Sequence, residues 1–328
     1  MARLSDIGER EAIQLLTRIF DRGHPVGLGH DCGVVEWGED YLVITTDVVN
    51  PRTHVPEGAR ADQIGWYLVA VNLSDVAAAG ARALGFVAAL SLPPSTDTDF
   101  LKGLGQGMEA CAREFGIAIL GGDTKESDVP SFAGTAIGRV RKDRLLLRKG
   151  ARPGDAIVVT GDLGRAGLAY AQLADATTRA EGLEELLHPY PRLREGAVFS
   201  ESGVVTSCMD ISDGLGLSLA QMAAMSGLSY AVEWEKVPLH KPLEPMPVDR
   251  QREYALYSGG DYELVATVRP EAVNELVSRL NDPHRGAHHE LTVIGKVGKP
   301  GPNTLLVGGK AEPLQGRGWE HFRASHSG

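Results

Sequence analysis

The chain has 328 residues, of which 43% are apolar, and a formal net charge of −10. That length is the natural size of two domains with a core each. The negative balance excludes general nucleic-acid binding, which needs a basic face to neutralise phosphates, but not nucleotide phosphates met through metal ions.

In chain order, a first helix is expected near residues 6–21, with Asp6 and Glu9 in capping-box spacing and Ile13, Leu16 and Phe20 on one face. The stretch VGLGHDCGVVEWGEDYLVITTD (26–47) reads as a hairpin turning at its central GED. Residues 59–80 read as a helix, ALGFVAALSL (83–92) as a strand, and 96–116 as a helix. IAILGGD and FAGTAIGRV follow as strands. At KGARPGD (149–155) turn residues dominate, which places a boundary between domains 1–148 and 149–328. Beyond it come strand AIVVT, a glycine turn, helix RAGLAYAQLA, further helices, strand VVTSCMDI and a helix at 214–226. YELVATV, a helix at 270–281, LTVIGKV and TLLVGG close the pattern. The alternation is that of an α/β fold.

Cys32, Cys111 and Cys208 have no CxxC spacing and are too few for a disulfide framework. The N-terminus lacks the apolar core of a signal peptide, and no run approaches a membrane span. A soluble, cytoplasmic protein is expected. GDLGRAG (161–167) mimics a dinucleotide fingerprint, but its spacing differs and no acid ends a strand about 20 residues on. It reads as a tight strand–helix turn. HRGAHHE (284–290) reads as a solvated loop rather than a metal tract.

One device recurs. Apolar β-like runs deliver Asp47, Asp123, Asp162, and the pair Asp210 and Asp213 where the chain leaves the sheet, the usual ligand-binding edge of an open α/β sheet. Asp31 lies in a glycine turn. Asp75 sits among Val71, Ala78 and Ala79 at helical spacing, so it is not on a fully solvated face. Any one of these acids alone reads equally as a turn former or helix cap. If they converge, each pair about 4 Å apart costs on the order of 4 kcal/mol at an effective dielectric near 20. Basic residues are scarce nearby, apart from Lys125, Arg148 and Arg165. Hard divalent cations, Mg²⁺ above all, are the expected counter-charge.

GHDCGV, TTD followed by His54, GWYLVAVNLSDVAAAGA, GGDTKES, GDLGRAGL, DISDGL and SGGDYEL occur in this order. Together they resemble the thiamine-monophosphate kinase family, within the aminoimidazole ribonucleotide synthetase superfamily, over residues from about 5 to 323. The resemblance implies two α/β domains, the N-terminal one forming a shared β-barrel across a homodimer. It implies direct phosphoryl transfer from ATP to thiamine monophosphate, with several Mg²⁺ ions and no catalytic side chain of its own. The implied metal ligands are Asp31, Thr45, Thr46, Asp47, Asp75, Asp123, Asp210 and Asp213. Gly122, Arg148 and Ser212 would meet ATP, and His54, Asp261 and Trp319 the thiamine end. His30 stands where the family often has an acid, SGGDYEL is one acidic residue short of the common SGGEDYEL, and NPRTH replaces more acidic and glycine-rich residues before His54. Trp319 also reads as a tail residue covering the core, and His54 as a turn histidine. Ligase or dikinase chemistry on another acceptor, and a non-catalytic nucleotide or metal binder, are the alternatives.

Overall fold

Residues 3–20, 23–280 and 291–322 are described by a computed structural model. The HRGAHHE stretch lies outside them. The first half contributes α1 (Leu4–Phe20), β1 (Gly33–Trp37), β2 (Asp40–Val49), α2 (Ala61–Ala78), β3 (Arg82–Leu92), α3 (Thr98–Glu114), β4 (Ala118–Glu126) and β5 (Ser131–Arg141). The second half begins with β6 (Ala156–Thr160), α4 (Arg165–Gln172), α5 (Arg179–Leu187), α6 (Leu193–Ser202), β7 (Val205–Asp210) and α7 (Leu215–Ser226). It ends with β8 (Ser229–Glu233), α8 (Val248–Arg252), β9 (Leu264–Val268), α9 (Val273–Leu280), β10 (Leu291–Gly298), β11 (Thr304–Val307) and β12 (Lys310–Pro313).

The first sheet has the order β1-β2-β5-β3-β4. The expected hairpin forms, with Trp37 opposite Asp40 across a two-residue turn. Strand alternation divides β2 cleanly: Val43, Thr45 and Val49 are buried against α2, whereas Ile44, Thr46 and Val48 are exposed on the other face. Asp47 shares the α2 side by the same period of two. α2 is apolar nearly all round, so it is buried rather than amphipathic. Its close approach to α3 runs through glycines: a Cβ on Gly65 would collide with the Leu104 carbonyl, and one on Gly107 with that of Asp62. Asp97 caps α3, accepting from the Asp99 N–H at 2.8 Å.

The second sheet has the order β12-β11-β8-β10-β6-β9-β7 and is mostly antiparallel, with β11 parallel to β8. Its strands β6 and β9 are buried on both faces. β7 lies at the sheet's edge beside α2, which also packs on α6. GDLGRAG makes the expected strand–helix turn, with Gly161 (φ 56°) and Gly164 (φ 92°) in the left-handed region.

Three details differ from the sequence reading. α1 breaks at Gly8 (φ 76°, ψ 176°), and Ile13, Leu16 and Phe20 are exposed rather than packed. β4 continues to Glu126, so Asp123 lies within an edge strand, not at its end, and Asp47 likewise sits inside β2. The first sheet is open in the single chain, with β1 and β4 as its edges.

Candidate active site

The cleft begins with a contact between the two halves. α2 brings Ser74 against β7, where its hydroxyl donates to Asp210 Oδ2 at 2.7 Å. One residue on, Asp75 accepts from the Thr45 hydroxyl of β2 at 2.5 Å. The GHDCG turn adds Asp31, and ligand oxygens of Asp31, Asp75 and Asp210 all lie within 4.8 Å of one another. Three acids distant in sequence therefore converge, and Arg148 is the cation among them. Its Nε and Nη2 donate to Asp31 Oδ1 at 3.1 and 2.9 Å, and its Nη1 to Gln221 at 2.7 Å.

One guanidinium does not balance this charge. Burial, then the charges of Asp47, Asp210 and Asp31, push the Asp75 carboxyl well above the usual range. Burial and Asp31 raise Asp210 to about 7, against the Ser74 hydrogen bond and Arg148. Burial lifts Asp47 to about 6, and burial plus Glu9 lifts Asp213 to about 6. Burial opposes the charge of Arg148, but Asp31, Asp210 and Asp75 hold it firmly protonated. An all-oxygen donor set with excess negative charge fits a hard dication.

Beside the cluster opens a cleft of about 210 Å³, lined by Asp47, His54, Asp75, Asp210, Ser212, Asp213 and Trp319 among others. Tyr67 and Tyr262 also line it and share a hydroxyl–hydroxyl hydrogen bond of 2.8 Å. Tyr262 holds φ at 52°, uncommon for a bulky residue. Trp319 is anchored through its backbone N–H, which donates to the Asp213 carbonyl at 3.0 Å. Burial, with the neighbouring His321, lowers His54 to about 4, so its imidazole is neutral. The Asn50 N–H donates to His54 Nδ1 at 3.2 Å.

Other expected positions lie apart. The Thr46 hydroxyl faces the opposite side of β2 and donates to the Gly134 carbonyl at 2.7 Å. Asp123 is exposed on β4 and pairs with Lys125 at 3.3 Å, and Gly122 packs against the β3 backbone at Ala88. Asp162 is held by Arg165 at 3.2 Å and His240 at 3.1 Å. Asp261 is buried, and its oxygens accept from the Gly164 and Ala166 N–H groups at 2.8 and 2.9 Å, at the start of α4. It is absent from the cleft lining, where Gly259 and Gly260 stand instead. Several lining residues, among them Glu9, Tyr67, Tyr170, Tyr262 and His321, are not among the site residues expected from the sequence, which assigns Glu9 to a capping box. The signal was Gly8 directly before Glu9, an unusual residue within a helical pattern.

Two facing α/β halves with an acidic cluster at their junction define an AIR synthase-related protein. Residues 29–140 match the family "AIR synthase related protein, N-terminal domain", and 152–308 match its C-terminal counterpart. The thiamine-monophosphate kinase of Pyrococcus horikoshii is 33% identical over 321 residues, covering 98% of each chain. The chain belongs to the thiamine-monophosphate kinase family. A structure described as AaThiL complexed with AMPPCP and TMP superposes with a TM-score of 0.81 at 28% identity, covering 98% of this chain and 99% of that one. The thiamine-monophosphate kinase of Stenotrophomonas maltophilia superposes with a TM-score of 0.74 at 33% identity, covering 92% and 96%.

Proposed function

We propose that this chain is a cytoplasmic kinase that transfers the γ-phosphoryl group of ATP to thiamine monophosphate. A phosphate oxygen of thiamine monophosphate bonds to the γ-phosphorus, the bond to the β–γ bridging oxygen breaks, and ADP and thiamine diphosphate leave. The observation that carries this reading is the meeting of Asp31, Asp75 and Asp210 at the domain junction, beside a cleft walled by His54 and Trp319. The likeness to a relative holding AMPPCP and TMP supports both substrates.

Asp31, Asp75 and Asp210 would hold Mg²⁺, with Asp47, Asp213 and Thr45 completing the cradle. Bound there, Mg²⁺ supplies the neutralisation that two polyanions need in order to approach. Arg148, fixed by Asp31 and Gln221, and Ser212 are assigned to the nucleotide, and His54 and Trp319 to the thiamine end. No residue serves as general base. A phosphate nucleophile is already ionised near neutral pH, and transfer through a loose transition state depends on positioning and charge. Asp261 belongs to the fold, as the cap of α4, and Thr46 is left out because its hydroxyl is engaged elsewhere.

The working unit is a homodimer, with 1–148 as its pairing domain and 149–328 as the second domain. Trp37, Ile44, Val48, Leu84 and Leu120 are exposed on the first sheet, and β4 is an open edge. An apolar sheet face with a free edge is suited to a second copy, closing a barrel between subunits. Incubation with MgATP and thiamine monophosphate, followed by mass analysis, tests the reaction. ADP and thiamine diphosphate in equal amounts are expected. ADP formed with some other phosphorylated acceptor, and no thiamine diphosphate, would replace this substrate.

A further inference from the structure

We infer that Glu9 supplies the fixed negative charge that selects the cationic thiazolium ring of the substrate. This inference rests on the kinase reading above. A thiazolium seated against aromatic walls gains from a carboxylate within Coulomb range. The segment expected to provide one does not: Asp261 is spent on α4, Gly259 and Gly260 line the cleft in its place, and Glu263 is buried in a pair with Arg192. On the kinase reading, the acids proposed to hold Mg²⁺ would be committed to the charge balance of the phosphates.

Glu9 enters the same cleft from a different element. Gly8 holds φ 76° and ψ 176°, a region open essentially to glycine alone, and this break in α1 sets the direction of the next residue. Glu9 Oε2 accepts from the His321 N–H at 2.9 Å, which ties the carboxylate to the wall formed by His321, Trp319 and His54. The ring of His321 lies 5.3 Å from His54 and 5.9 Å from Trp319, the latter edge-on. Glu9 makes no ion pair among the described residues, and its charge reaches Asp213 across the cleft. His54 is neutral, so the wall carries no cation at that ring to compete for the carboxylate. A half-buried, singly bonded carboxylate among three aromatic rings is thus the feature that distinguishes a cationic ring from a neutral one.

The test compares thiamine monophosphate with its neutral isostere, in which the thiazolium nitrogen is replaced by carbon. In the wild-type protein the cation is expected to show a KM about tenfold below that of the isostere. In Glu9→Gln, which keeps the shape and the His321 hydrogen bond, this gap shrinks to about twofold, while KM for ATP is unchanged. Glu9→Asp retains part of the gap. An undiminished gap in Glu9→Gln, with normal thermal unfolding, overturns the assignment. If the wild type turns over neither compound, the kinase reading fails by itself. Calorimetric binding of thiamine and its neutral isostere then decides the role of Glu9 on the same criterion.

Discussion

At the scale of single residues, the same side chain, aspartate, does two jobs whose difference lies in its partners. Asp75 faces other acids, with the Thr45 hydroxyl as its one close side-chain donor among the described residues, so burying it is tolerable only protonated or beside a cation. Asp75→Asn would remove a proposed Mg²⁺ ligand while keeping size. Steady-state kinetics should show turnover falling well beyond tenfold, with more Mg²⁺ needed for half-maximal rate; retained turnover would contradict the assignment. Asp261 instead meets two helix N–H groups, yet burial still lifts it to about 6 from 3.8. Its folded pKa is raised, so the stability it confers is complete below 3.8 and lost as pH rises through about 6. The wild-type advantage over Asp261→Asn in unfolding free energy should therefore shrink across that window, by up to about 3 kcal/mol at 1.36 kcal/mol per unit. KM for thiamine monophosphate should stay within twofold. A large KM rise with a flat difference in stability would return Asp261 to the substrate. Sequence alone could name both acids but not separate these jobs, because neither the apolar run around Asp75 nor the glycine pair before Asp261 shows which groups each acid meets. What separates them is which backbone N–H groups fold to within reach.

At the scale of elements, periodicity was the readable signal. The unbroken apolar character of α2 implied burial, and the interruption by Asp75 implied a purpose there. The strand ends were less readable: β2 and β4 pass beyond Asp47 and Asp123, because Val48, Val49, Thr124 and Lys125 can continue a ladder whose partner strand is unknown from the sequence. The exposed apolar face of α1 had the period of a packed helix, and periodicity carries no information on whether the partner lies in the same chain. Glycines in α3 illustrate the same division. Gly107 abuts the Asp62 carbonyl of α2, whereas nothing lies within 4 Å of a Cβ on Gly105. Alanine favours a helix by about 1 kcal/mol over glycine. At Gly105 that preference acts alone, and Gly105→Ala should stabilise by about 0.5–1 kcal/mol in urea unfolding. At Gly107 the collision moves α2 and with it Asp75, so Gly107→Ala should destabilise by about 1–3 kcal/mol and slow turnover. Equal effects at both positions would mean that the two helices are not held by this close approach.

Across the two domains, the position of β4 decides which chain's cleft Asp123 can serve. Register carries Asp123 to Ala89, Ala89 to Ala133 and Ala133 to Val48, so Asp123 is level with the cleft but three strands away. At about 4.8 Å per strand this sets Asp123 roughly 14 Å from Val48 of β2, and among the described residues Asp75 clusters with Asp31 and Asp210 and not with Asp123. If Gly122 and Asp123 are nucleotide and metal positions, the proposed second subunit would be what carries β4 toward a partner's cleft. The same association would cover Leu120, 58% exposed, and Trp37, 64% exposed. A charge placed in such a face must be desolvated when two copies meet, so it weakens pairing without touching either monomer's core. Leu120→Glu should shift sedimentation from dimer to monomer and leave the unfolding free energy per chain near its wild-type value. If β4 serves the partner's site, activity should fall with the dimer fraction and recover as protein concentration is raised. A variant that is monomeric at every concentration yet fully active would place the entire site within one chain, and Asp123 outside it.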